Sequence, residues 1–144
     1  MKIFLLLFGL FFSNCAYSNT SFDAENESEA VGIIYGHIKE IDVLKFMCVR
    51  KVPVKGVLVS EAFDEWMSRN RSVVTNLFGS LERTPIKKRE ELFEVAKTLS
   101  NNRIILFNKL NQSEKEEMCL LLASRLNSDW YKKEYPLAYK LMSK

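Results

Sequence analysis

Histidine is almost missing from this chain: His37 is the only one. Most zinc chemistry draws on several imidazoles or thiolates and is therefore excluded. Any Ser-His-Asp or Cys-His arrangement would have to use His37, and no nucleophile motif flanks any serine. The five glycines form neither a phosphate-cradling loop nor a dinucleotide fingerprint. Internal repeats and low-complexity tracts are absent as well. Two carboxylates alone suffice for glycosidase-like chemistry, so Glu40, Asp42, Asp64 and Glu65 are noted. Solvated helix faces account for all four, and the expectation is a protein that is not an enzyme and holds no cofactor or metal.

Long apolar runs are missing too. The one such run, Ile3 to Phe12, is about ten residues, and at 1.5 Å per residue it cannot cross a hydrocarbon layer of roughly 30 Å. It follows Lys2 and precedes Ala16-Tyr17-Ser18, a small-x-small triplet. Residues 1–18 therefore read as a secretion signal. The alternative is a lipoprotein signal acting on Cys15, although Asn14 is a poor match for the small residue expected there. The expectation is a periplasmic or secreted protein without stable membrane insertion after signal removal.

Charge of one sign is not in excess. Lys2 is the only charge in residues 1–18, so 20 basic residues remain against 18 acidic ones. That balance argues against a dedicated nucleic-acid binder, which carries a strong basic footprint. Cleavage after Ser18 also discards Cys15 and leaves Cys48 and Cys119. An isolated pair in an oxidising compartment is expected to form a disulfide. The alternatives are a reactive thiol or a metal site, and a metal site needs more ligands than one histidine supplies.

What is present is helical patterning. Residues 19–27 are polar and read as a flexible lead-in, and residues 28–144 as a single domain. Ile34, Ile38 and Ile41 share one helical face. Between Arg50 and Val59 the pattern changes. Pro53 and Gly56 interrupt it and Val52, Val54, Val57 and Val59 favour extended backbone, so this stretch reads as a buried connector. Ser60 is expected to cap one long helix whose stripe includes Phe63, Trp66, Met67, Val73, Val74, Leu77 and Leu81. Pro85 starts the next helix, with Leu92, Phe93, Ala96 and Leu99 inward and a potential interruption at Asn101 and Asn102. Ser113 and Glu116 read as a capping box, with Met118, Cys119, Leu122 and Leu126 on one face. A last short helical stretch carries Trp130 and Tyr131, and Pro136 separates it from Leu137 to Met142. The fold class predicted is all-α, a compact bundle of about five helices with one disulfide.

Three groups of residues are candidates for contact with a partner. Lys87, Lys88 and Arg89 lie in a helix's first turn, where the dipole disfavours cations. Such a cost suits an acidic partner, and the plain alternative is pairing of Lys87 with Glu91, with Glu90 and Glu94 neutralising the rest. Arg69 and Arg71 form a smaller basic group with the same alternative. Trp130, Tyr131 and Tyr135, followed by Tyr139, carry aromatic rings with polar handles, the kind that anchor interfaces or close the end of a bundle. His37 reads as a surface or half-buried helical side chain.

Cys48, Pro53, then Phe63-x-x-Trp66-x-x-Arg69-Asn70 and finally Cys119 make up a pattern that resembles small exported helical proteins of Gram-negative bacteria. The resemblance implies a periplasmic location and a helical fold, and it carries over no catalytic residue. The function expected is binding through protein–protein contact, an immunity or inhibitor protein being one concrete form. An envelope-stress chaperone or assembly factor is the second reading and an unrecognised hydrolase the third.

Overall fold

The computed structural model describes residues 23–144. The secretion signal over 1–18, the alternative of lipidation at Cys15, and residues 19–22 of the lead-in lie outside the described residues. Among the described residues there are seven helices and no strand: α1 (Glu27–Lys51), α2 (Pro53–Arg69), α3 (Arg71–Arg83), α4 (Ile86–Lys109), α5 (Gln112–Asn127), α6 (Trp130–Glu134) and α7 (Pro136–Met142). The all-α class and the disulfide hold, and the helix count exceeds the expected five. None of these helices is long and apolar enough to cross a membrane.

The central element is α1. It packs against α2, α3, α4, α5 and α7, and its buried residues include Val31, Ile34, His37, Ile38, Ile41, Leu44 and Met47. A helix surrounded on most sides needs apolar residues on most sides, which is why its apolar pattern is broad. Asn26 caps it by accepting from the Glu29 amide at 3.0 Å, and Glu29 accepts in turn from the amide of Glu25 at 2.8 Å. The end of the lead-in is therefore not free. Asp23 accepts from the amides of Leu137 (2.7 Å) and Ala138 (2.9 Å), and Ala24 is buried. Helix starts leave backbone donors without partners, and a carboxylate from the far end of the chain satisfies two of them on α7.

The expected connector at 50–59 is helix. Only Val52 leaves helical geometry (φ −139°, ψ 64°), and Pro53 opens α2. Proline is tolerated there because the first turn needs no N–H from it. Gly56 is a contact point and does not break the helix: a Cβ on it would lie 2.5 Å from the Cα of Val49. The missing side chain lets α2 fold back closely on α1. Val52, Gly56, Val59, Phe63 and Trp66 are buried at helical spacing, while Val54 and Val57 are exposed. Ser60, expected as a cap, sits in mid-helix and donates to the Gly56 carbonyl at 2.9 Å.

The long helix expected over 60–81 is two helices. Asn70 separates them, buried, with its amide side chain donating to the Trp66 carbonyl at 2.9 Å. A side chain that bonds its own preceding turn competes with the helical ladder. Asn101 and Asn102, by contrast, do not interrupt α4. The capping box forms two residues before the expected Ser113–Glu116 pair. Asn111 accepts from the Glu114 amide at 3.0 Å, and Glu114 accepts from the Asn111 amide at 2.8 Å. The extended backbone at Leu110 and Asn111 places the first helical turn there. Tyr135 breaks the last segment into α6 and α7, which completes the extra count.

Cys48 on α1 and Cys119 on α5 are joined, with S–S 2.06 Å and Cα–Cα 5.8 Å. Trp66, Phe107, Ile34, Ile41, Leu77, Leu126, Tyr139 and Met142 fill the surrounding core. A turn at Asp129, in the left-handed region at φ 52°, ends α5. Arg69 bridges it by donating to the Leu126 carbonyl at 2.7 Å and approaching the Asp129 carboxylate at 3.4 Å.

Candidate partner interface

The basic turn at the start of α4 divides by role. Arg89 is half-buried and donates to the Leu81 carbonyl at 3.3 Å, so it closes the end of α3. Lys87 and Lys88 are exposed. Among the described residues no ion pair joins Lys87 to Glu91, and Glu94 is engaged by Lys97 at 3.5 Å. Lys88 lines a cleft of about 390 Å³ with Val31, Ser80, Arg83, Thr84 and Leu92. Across that cleft Glu27 accepts from Ser80 at 2.8 Å and pairs with Arg83 at 3.7 Å.

The aromatic group at the C-terminus largely closes the bundle. Tyr131 and Tyr139 are buried, so Tyr131 takes no part in an exposed surface. Burial pushes both phenols up, with the Glu40 carboxylate adding to the rise at Tyr131 and the neighbouring Tyr131 and Asp129 adding to it at Tyr139. Trp130 is half-buried with the Arg125 guanidinium 4.2 Å from its ring centroid. Tyr135 is half-buried and its ring lies 4.7 Å from that of His37.

His37 is buried, contrary to the surface or half-buried reading. Its position three residues after Ile34 and four before Ile41 puts it on the apolar face, and Tyr131, Tyr135 and Tyr139 recur every four residues opposite it. Those two spacings were the available signal. The rings of Tyr131 and Tyr139 lie 4.8 and 6.2 Å from the imidazole, and Nδ1 has no hydrogen-bond partner among the described residues. Desolvation pushes the imidazole down from 6.5 to about 4, against the pull of the Asp23 carboxylate.

A pH dependence follows from that burial. The folded chain holds His37 neutral while the unfolded chain binds a proton near 6.5, so stability rises with pH between the two values. The His37 contribution is full above about pH 6.5, falls as pH drops towards about 4, and is level below. The shift corresponds to about 3 kcal/mol at pH 4. Urea denaturation of the wild type and of His37→Phe at several pH values isolates this contribution, because every other titrating group is common to both. The difference between the two proteins should change by that amount between pH 7 and pH 4. Parallel profiles would show that the imidazole titrates equally in both states.

Exposed large apolar side chains are most numerous on α4. Its substantial packing is against α1 alone, through Ala96 and Phe107, a Tyr35–Phe93 ring contact at 5.3 Å and the Arg103–Glu40 ion pair at 2.6 Å. Leu92 is half-buried and Ala96 buried, as expected of an inner face. Phe93 and Leu99, placed there by their spacing, are 40% and 57% exposed. α4 buries one narrow strip against α1, and among the described residues no third element packs extensively on the remainder. Val95, Ile105 and Leu106 are exposed alongside them. Leu106 also lines a cleft of about 50 Å³ between α4 and α5, with Leu110, Met118, Leu121, Arg103 and Arg125 among its walls. Among the described residues no group of three His, Cys, Asp or Glu side chains is placed to hold a metal ion. Neither a family model, nor a curated protein, nor a solved structure matches this chain.

Proposed function

We propose that this chain is an exported, periplasmic binding protein that acts by occupying the surface of another protein, and that α4 makes the contact. The observation that carries this reading is the exposure of Val95, Leu99 and Leu106 on a helix anchored along one side only. Exposed apolar residues that extend along one element mark interaction surfaces in stable proteins. The disulfide and the surrounding core hold α1 rigid beneath α4, which limits the ordering cost of association. An immunity or inhibitor protein is the concrete form that fits a small, stapled scaffold.

The same exposure also favours a second reading, an envelope-stress chaperone or assembly factor. One experiment separates the two. Mature protein beginning at Asn19, and its Leu99→Glu variant, are used to capture partners from envelope extract, and both are assayed for suppressing aggregation of an unrelated unfolded protein. A dedicated binder should capture a defined species that the variant loses, with no effect on the unrelated client. Suppression of that client's aggregation, lost in the variant, would establish the chaperone. Capture untouched by Leu99→Glu would remove α4 as the docking surface.

A further inference from the structure

We propose that α4 receives an acidic amphipathic helix of a partner protein, laid along a seam that runs from Lys88 to Lys109; this rests on the docking role given to α4 above. The residues at alternating spacings of three and four along α4 are Leu92, Val95, Leu99, Asn102 and Leu106. That spacing keeps one line of side chains facing a second helix, with the leucines at every seventh position. The bundle leaves the line open. Val95, Leu99 and Leu106 are at least half exposed, Asn102 is exposed, and only Leu92 is half-buried. The single polar residue, Asn102, sits between apolar neighbours on this line.

The charges decide what lies on the seam. Continuing the spacing in both directions reaches Lys88 and Lys109, both exposed and about 30 Å apart at 1.5 Å per residue. In a parallel pairing of two copies of this chain, each lysine would face its own equivalent. In an antiparallel pairing Lys88 would face Lys109. Both arrangements set like charges against each other at each end, which penalises self-association. A helix with carboxylates at its two ends turns both contacts attractive. α4 as a whole, these two lysines included, carries six basic residues against three acidic ones. Arg103 flanks the seam beside its Glu40 partner. Clefts lie at both ends: Lys88 lines one and Leu106 the other, so apolar side chains of the visiting helix have recesses to enter.

The test uses two synthetic peptides of equal length, each with leucines at three-four spacing, one carrying glutamates at the flanking positions and the other lysines. Titration into the purified protein at low salt should show about tenfold preference for the acidic peptide. Lys88→Glu/Lys109→Glu should reverse the preference, and Leu99→Glu should abolish binding of both. Circular dichroism controls for folding, and all three positions are exposed. Equal affinities, no binding of either peptide, or a preference that survives the double charge reversal would overturn the acidic helix. So would a dimer in sedimentation that Leu99→Glu dissolves, because the occupant would then be a second copy. Capture from envelope extract keeps the two proposals apart. Loss of capture in Leu99→Glu but not in the charge-reversed protein removes the acidic partner and leaves α4 as a docking surface. Capture unaffected by either variant removes both.

Discussion

Replacing Trp66 with alanine should destabilise the fold by about 3–5 kcal/mol, the usual cost of removing a large buried aromatic side chain from a core that cannot close around the void. Trp66 is fully buried at the end of α2. Its ring lies parallel to that of Phe63 at 6.4 Å and edge-on to Tyr131 at 6.4 Å, so the indole joins α2 to the segment that closes the bundle. Its carbonyl also accepts from the side chain and backbone of Asn70, which ties the same residue to the α2–α3 break. The indole Nε1 has no hydrogen-bond partner among the described residues. A buried donor left unpaired opposes folding, so Trp66→Phe, which removes that donor and keeps most of the ring, should cost much less than alanine. Urea denaturation of the three proteins gives both differences. A midpoint unchanged in Trp66→Ala would show that the indole does not support the core, and equal losses for phenylalanine and alanine would show that shape outweighs the unpaired donor.

Trp66 was legible from its place on the stripe with Phe63 and Val73, and so were the inner face of α1 and the cysteine pair. These readings depend on periodicity and compartment, which are local or compositional properties. Four features were hidden for reasons that can be named. At Pro53 and Gly56 the residue types that end helices also permit a tight helical hairpin, and only the contact of Gly56 with Val49 distinguishes the cases. At Asn70 a single buried side chain breaks a stripe whose spacing continues unchanged on the other side. His37 lies on an apolar face, but the tyrosines that surround it are 94 to 102 positions further along the chain, beyond the reach of local pattern. On α4, spacing marks which residues share a face, and it does not say whether the fold supplies a neighbour to cover that face. Spacing alone therefore places Phe93 and Leu99 inward. The three-four spacing from Leu92 to Leu106 was present in the sequence throughout, but only the arrangement of the other helices shows it to be open. The basic turn at Lys87–Arg89 was found from sequence, while its division into Arg89, which closes α3, and Lys88, which lines a cleft, needed the tertiary structure.

Replacing both Cys48 and Cys119 with alanine should lower stability by roughly 4 kcal/mol, the chain-entropy value for a cross-link that closes a long loop. The two residues are 71 positions apart, and the bond spans every helix from α2 to α4. Both are fully buried, where alanine leaves only a small void, so most of the loss should come from the greater freedom of the unfolded chain. That mechanism has three consequences. The denaturant dependence of unfolding should steepen in the double variant, because a chain without the cross-link exposes more surface when it unfolds. Wild-type protein unfolded in the presence of a thiol reductant should show the same midpoint as the double variant to within about 1 kcal/mol. In native conditions the same reductant should act slowly, since neither sulfur is open to attack and reduction must wait for the bundle to open. The folded double variant should keep its α4 seam, because α4 rests on α1 and not on the cross-link itself. It should therefore bind the acidic peptide as the wild type does. A folded variant that had lost this binding would show that the disulfide sets the separation of α4 and α5 in the native state. Unchanged stability would show that residual structure already restricts the unfolded chain without the cross-link.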